Sequence, residues 1–356
     1  MKAVRIYGEK DIRVEDVAIA DPKDDEVQVK VAYCGICGSD LHAYLEGWGL
    51  PTVPHPLTGK TVPITLGHEF SGEVVKVGQD VSNLQVGDKV AIEPLIACGK
   101  CENCRKGDYN FCNNAVGPDG SGNFLGFSQD GGFAEFANVQ GVFAHKLPKG
   151  MDTKLGAVAE PTAVVYEAVK RSHLQEGQNV AIMGAGPIGL LMALLAKISG
   201  ANNIYIVDVS EVRLKKAHEL GIEKTLNPNE VDVNEAIRKE LPNGVDIAYE
   251  CAGAQATFDT ALKVTKRTGT LQVVALFGND VSMNMTDDVI MQGINIVTTL
   301  CYNNSFPAVL GIINNNQDDF RKIITKEIGL DQAVDEGIKT LSEDKSQVKI
   351  LVSPDL

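Results

Sequence analysis

The stretch NVAIMGAGPIGLLMALLAKISGA, residues 179–201, runs from a short strand-like segment into an apolar helical repeat, with Gly184, Gly186 and Gly189 at the joint. A glycine triplet at this spacing says little alone. Between a strand and a helix each glycine has a separate job. Gly184 permits the tight turn, Gly186 lets backbone approach a pyrophosphate, and Gly189 lets the helix pack close to the strand. Pro187 and Ile188 then open the helix, whose first N–H groups and positive end suit an anionic phosphate. The next strand-like run, IYIVDVS, ends at Asp208, at about the 20-residue distance where an acid accepts from ribose hydroxyls. An acid there repels a 2′-phosphate, which favours NAD(H) over NADP(H). Arg213 can brace the adenosine end, and it keeps NADP(H) from being excluded.

Outward from this joint, strand and helix patterns alternate: EVRLKKAHELG, GVDIAYECAG, ATFDTALKVT and GTLQVVALFG follow in order. Such alternation predicts a parallel, doubly wound sheet. The preceding residues have a different character. VQVKVAYCGIC, SGEVVKVG and GDKVAIEP read as strands closed by turn residues, and MKAVRIYGEKDIRVED also reads as a strand. The end, SQVKILVSPDL, is strand-like again. The chain therefore divides into a β-rich domain over 1–152, an α/β domain over 153–298, and a segment over 299–356 that returns to the first. The fold class is α/β.

The bulk properties narrow the functions. The chain has 356 residues and a formal net charge of −14, which disfavours nucleic acid and anionic membranes as partners. No apolar run is long enough to span a bilayer, and the start lacks an apolar leader, so a cytoplasmic location is expected. In a reducing compartment, clustered cysteines signal metal or catalysis rather than disulfides.

Two clusters qualify. CGICGSDLH (34–42) and LGHEF (66–70) offer Cys37 and His68, a thiolate and an imidazole of the types zinc prefers. A third anionic ligand is required, and Glu160, an acid in an apolar segment, and Glu69, beside His68, are rivals for it. Three protein ligands with one open position is the catalytic arrangement. The second cluster, CGKCENCRKGDYNFC (98–112), holds Cys98, Cys101, Cys104 and Cys112. Four thiolates close a tetrahedral zinc shell, so this site is structural, although the spacing also resembles some iron–sulfur ligation. A zinc-ribbon-like binding protein would account for these cysteines but not for the glycines paired with Asp208.

The order of these motifs resembles the zinc-containing medium-chain alcohol dehydrogenase family over nearly the whole chain: CGICGSDLH, then LGHEFSGEVVKVG, four clustered cysteines, and GAGPIG followed by an acid. The resemblance implies a GroES-like catalytic domain and a Rossmann-type cofactor domain, with NAD(H) and two zinc ions, one catalytic and one structural. Cys37, His68 and Glu160 then match the catalytic ligand positions, as in the polyol and diol branch, with Glu69 in the same segment. Asp40 would orient His68, Ser39 would hydrogen-bond the substrate oxygen, and His42 would pass its proton to solvent. Segments matching ECAGA, ALFG and TLCYN hold the nicotinamide end, which brings in Cys251, Ala252, Leu276 and Gly278.

Chemistry binds these parts together. Hydride leaves a carbinol carbon readily only once the hydroxyl has lost its proton, and zinc lowers the pKa of that hydroxyl. A hydroxyl feeding an imidazole then gives the proton a way out. HAYLEGW, PHPLTGKTVPITLGHEFSGEVV, FPAVLGIINN and KSQVKILV most resemble the 2,3-butanediol branch, which interconverts a diol and the hydroxyketone acetoin. Sorbitol- or xylitol-type polyol and threonine dehydrogenases are the alternative. The family also implies a homodimer or homotetramer. His55, in the proline-rich loop between His42 and His68, is expected as a loop or surface residue.

Overall fold

The computed structural model describes residues 1–344 and 346–356. They form two compact units, Met1–Glu160 with Asn303–Leu356, and Pro161–Tyr302.

The first unit opens with strands β1 (Lys2–Gly8) and β2 (Asp11–Asp16), an antiparallel hairpin where the sequence reads as one strand. Lys10 turns it with a positive φ of 56°, a conformation no regular strand contains. Then come β3 (Glu26–Gly35), β4 (Ile64–Thr65), β5 (Glu69–Val77), β6 (Lys89–Ile92), β7 (Phe136–Gln140) and β8 (Ala144–Lys146). β4 extends the hairpin into a three-stranded sheet, and β3, β5, β6, β7 and β8 join the larger sheet.

The inserted unit contributes β9 (Val180–Met183), β10 (Ile204–Val207), β11 (Lys224–Leu226), β12 (Val245–Glu250), β13 (Thr265–Val273) and β14 (Asn295–Thr298). They form one sheet in the order β11-β10-β9-β12-β13-β14, and every pairing in it is parallel. The chain order reverses direction between β9 and β12, the switch point where such sheets bind dinucleotides at their carboxyl ends. In the helix Pro187–Ile198 every residue from Gly189 to Ala196 is buried, which explains its apolar character all round.

Strands β15 (Ile324–Gly329) and β16 (Lys349–Ser353) complete the larger sheet of the first unit, ordered β15-β16-β3-β5-β6-β8 with β7 also on β3. Alternate residues Val27, Val29 and Val31 of β3 are fully buried with Phe70, Val74, Ile350 and Val352. Each such side chain stabilises the fold by about 1.5–3 kcal/mol. The register positions the site. Gly35, at the end of β3, lies opposite Glu69 of β5 on one side and Leu351 of β16 on the other. Three distant segments thus converge where β3 runs out.

Candidate active site

Just past Gly35 the chain turns into the helix Gly38–Glu46, with Cys37 as its N-cap. Asp40 at the third helical position reaches back and accepts from the Cys37 N–H at 2.9 Å, one half of a capping box. That bond fixes one carboxylate oxygen. The other, Oδ1, faces His68 Nδ1 at 3.7 Å, and both atoms are buried with no hydrogen-bond partner. His68 packs against Phe124 and Phe127, with ring centroids 6.4 and 5.6 Å away. Its Nε2 lies 3.3 Å from Ser39 Oγ. Ser39 is half-buried and His42, one turn further along the same helix, is exposed, with Nδ1 3.5 Å from Glu46 Oε2.

Ligand atoms of Cys37, His68 and Glu69 all lie within 4.8 Å of one another. Glu160 is buried at the start of the helix Ala159–Arg171. It stands outside that tight group, but its charge reaches both His68 and Lys349. Glu69 is fully buried, and both of its oxygens accept from Lys349 Nζ, at 2.7 and 2.6 Å. Gly35 makes room for this pair, since a methyl group there would collide with the Glu69 carboxylate.

The electrostatics test whether a divalent cation fits. Burial opposes a charge on His68, yet the surrounding Asp40, Cys37 and Glu160 outweigh it and raise its pKa to about 10. Burial likewise opposes the charge on Lys349, and Glu69, Cys37 and Glu160 prevail and raise its pKa. A pocket that draws positive charge against desolvation, with soft and hard donors side by side, suits zinc. Cys34 differs: burial pushes its thiol well up, and it stays an inert core residue.

The other cluster is of another kind. Cys98, Cys101, Cys104 and Cys112 lie within 4.8 Å of one another, with Sγ–Sγ separations of 3.9 Å for Cys98–Cys104 and 4.0 Å for Cys101–Cys112. Zinc–sulfur bonds of about 2.3 Å in a tetrahedron place sulfurs about 3.8 Å apart, so the set fits a closed shell. The backbone feeds the sulfurs directly. Cys98 N donates to Cys112 Sγ, Cys101 N to Cys98 Sγ, and Asn114 Nδ2 to Cys98 Sγ, each at 3.3 Å. A backbone N–H from Lys100 and the Asn114 amide bring the Cys98 thiol down to about 6, whereas burial pushes Cys104 up to about 12. None of the eight cysteines is in a disulfide.

In the inserted unit, Gly184 has a φ of +101°, and a methyl at Gly189 would strike the Gly184 carbonyl. Gly186 is different: a methyl there meets nothing within 4 Å, so no neighbour in the chain accounts for a glycine, whereas an approaching pyrophosphate does. Pro187 and Ile188 are half-buried beside it. Asp208 Oδ2 accepts from Ala185 N at 2.7 Å and lies 3.9 Å from an Arg213 nitrogen, while Oδ1 accepts from Ser210 N at 2.8 Å. The acid therefore also ties the glycine turn to the end of β10. Cys251 and Ala252 follow β12 directly, and the Ala252 methyl is the atom that a side chain at Gly184 would meet first. Burial pushes the Cys251 thiol well up. Leu276 and Gly278 are exposed.

Two residues emerge that the sequence reading missed. Lys349 is one. Glu250, fully buried at the end of β12, accepts from the N–H groups of Ala252 and Gly253 and from Thr257 Oγ1, and so shapes the loop assigned to the nicotinamide. His55, expected as a loop or surface residue, is in a loop but buried; its Nε2 lies 2.8 Å from the Ala115 carbonyl oxygen. A lone lysine in the apolar run VKILV, and an acid closing the apolar run IAYE, were the available signals.

Comparison with known proteins agrees with this architecture. Residues 23–149 match the alcohol dehydrogenase GroES-like domain, and residues 187–315 match the zinc-binding dehydrogenase domain. The chain is 39% identical to the (R,R)-butanediol dehydrogenase of Bacillus subtilis, covering 99% of this chain and all of that one. It is 34% identical to the sorbitol dehydrogenase of the same species, over 99% of this chain and 97% of the relative. The crystal structure of a 2R,3R-butanediol dehydrogenase from Bacillus subtilis superposes with a TM-score of 0.92 at 38% identity, covering 99% of both chains. With a four-sulfur cluster, a thiolate–imidazole pair and a dinucleotide-type glycine turn, the chain belongs to the zinc-containing medium-chain alcohol dehydrogenase family, oxidoreductases that use zinc and a nicotinamide dinucleotide.

Proposed function

We propose that the chain catalyses the NAD(H)-linked interconversion of 2,3-butanediol and acetoin. The observation that carries the reading is the grouping of Cys37, His68 and Ser39 at the end of β3, with an exposed imidazole one helical turn away. Full-length identity to a butanediol dehydrogenase supports the diol as substrate. In this reading Cys37 and His68 hold the catalytic ion, with Glu160 or Glu69 as third ligand, and Cys98, Cys101, Cys104 and Cys112 hold the structural one. When bound there, zinc would supply Lewis acidity that lowers the pKa of the substrate hydroxyl, and the dinucleotide would supply the hydride acceptor.

The protein's own residues do the rest. Asp40 holds the Cys37 turn through its backbone N–H and presents its second oxygen to His68, fixing the ring. Ser39 Oγ takes up the substrate's proton and hands it to His42, which releases it to solvent. Phe124 and Phe127 keep the His68 side dry and apolar, suited to a small substrate with few polar atoms. Gly184, Gly186, Gly189, Pro187 and Ile188 receive the pyrophosphate, Asp208 and Arg213 the adenosine end, and Cys251, Ala252, Leu276 and Gly278 the nicotinamide end. Asp208 favours NAD(H); changing it to Ala should move the NAD/NADP preference towards NADP by about tenfold, the effect of one hydrogen bond or charge contact.

Among the described residues, no helix is long and apolar enough to cross a membrane, and eight free cysteines suit the cytoplasm. A homodimer or homotetramer is supported by β14, an edge strand of the parallel sheet that carries exposed Ile296 beside exposed Ile290 and Met291.

The deciding experiment compares NAD-linked oxidation of butanediol stereoisomers, sorbitol, xylitol and threonine by the zinc-loaded protein. The highest kcat/KM should fall on a butanediol. The sorbitol dehydrogenase relative keeps the polyol reading in play, and faster turnover of sorbitol, xylitol or threonine would move the assignment there.

A further inference from the structure

Lys349 is almost entirely buried, an unusual place for an ammonium. Its Nζ makes three hydrogen bonds, to Glu69 Oε1 at 2.7 Å, Glu69 Oε2 at 2.6 Å and the Ile36 carbonyl at 3.1 Å, which matches the donor capacity of an ammonium. Ile36 immediately precedes Cys37, and Glu69 immediately follows His68. A single side chain of β16 thus grips the neighbours of both candidate ligands. Glu69 has an oxygen within 4.8 Å of the Cys37 and His68 ligand atoms, near enough to compete for a cation bound there.

We propose that Lys349 is a positioning residue that holds Glu69 out of the metal's coordination shell and so keeps one coordination place open for substrate. This rests on the reading of Cys37 and His68 as metal ligands. The physical case is one of competition. A buried carboxylate must be neutralised, and two cations are available to Glu69, the ammonium and the metal. While the ammonium has both oxygens, Cys37, His68 and Glu160 would be left to hold the metal, the alternative in which Glu160 and not Glu69 is the third ligand. If the ammonium is lost, the carboxylate turns to the metal and adds a fourth protein ligand, converting an open site into a closed one of the structural type.

The prediction has a distinctive sign. Residues that merely support a ligand weaken metal binding by about 10–100-fold when replaced. Lys349→Met should instead slow removal of the catalytic zinc by a chelator, by about tenfold or more, since a fourth ligand joins the shell. With cobalt in that site, the visible spectrum of the wild type should shift on adding imidazole as an outside ligand, and that of Lys349→Met should not. Lys349→Arg, which keeps the ion pair, should restore the shift. Faster zinc release from Lys349→Met, or a spectrum that still responds, would overturn the proposal while leaving the metal reading intact. A Lys349→Met protein that folds only when metal-loaded supports it, because the metal then neutralises Glu69. If that variant folds in neither form, the Lys349→Met/Glu69→Gln double variant decides: an imidazole response supports the proposal and its absence overturns it. Wild-type protein that carries zinc only at the four cysteines and takes no cobalt at Cys37 would overturn the metal reading itself, and this inference with it.

Discussion

The two sulfur-bearing centres of the first unit differ in how their donors are assembled. At Cys98–Cys112 the donors are alike, close in sequence, and stabilised by backbone N–H groups of their own loop. At Cys37–His68 the donors differ, come from separate segments, and are surrounded by Asp40, Glu69, Glu160 and Lys349. A loop whose four sulfurs would fill a metal's shell, supported by its own backbone N–H groups, has nothing left to offer a substrate. A centre assembled from several strands, with a hydroxyl and an imidazole at its edge, does. The lesson is that reactivity lies in the surroundings of the donors more than in the cysteine count.

Five substitutions can break or sharpen this contrast. The largest effect belongs to Cys37→Ser and His68→Ala. Lewis acidity worth several kcal/mol disappears, so turnover should fall by about three orders of magnitude or more, while NADH titration by fluorescence shows retained binding. Activity near wild type would dissolve the distinction between the centres. Next comes Cys101→Ser, which should lower stability on the order of 3 kcal/mol, or Tm by about 6–12 °C. Its kcat at a permissive temperature should remain; a selective loss of hydride transfer in a stable, zinc-replete protein would count against a structural role. Asp40→Asn removes the charge beside His68 and should weaken catalytic zinc by about 10–100-fold, read by competition with a chelator, with the four-cysteine ion unaffected. The smallest effect is expected for Asn114→Ala, which loses one amide donor to Cys98 Sγ. About 1 kcal/mol of stability should go, visible in thermal unfolding, and unchanged steady-state kinetics would complete the contrast.

How much of this could be read from the sequence depended on distance along the chain. The four cysteines sit inside fifteen positions, and the glycine turn and Asp208 belong to one βαβ unit, so local spacing carried their meaning. Cys37 and His68 were legible because their residue types are rare and chemically specific. Lys349 was not, since its partner Glu69 is 280 positions away and its burial follows from β16 lying inside a sheet between β15 and β3. His55 lies in a loop as expected, and its buried partner, the carbonyl of Ala115 60 positions away, is again beyond the reach of local spacing. The opening hairpin was read as one strand because a left-handed turn at a lysine carries little sequence signal.

β16 occupies an interior place in the larger sheet, against β3 on one side and β15 on the other. During synthesis, residues 1–160 emerge long before it, and the whole inserted unit is made in between. The early strands must wait with the Cys34–Gly35 end of β3 lacking its β16 partner until residues 349–353 clear the ribosome. Completion of the Cys37–His68 site is thereby tied to late translation: a nascent chain halted before β16 would own its sulfur and imidazole and still lack the ammonium beside them.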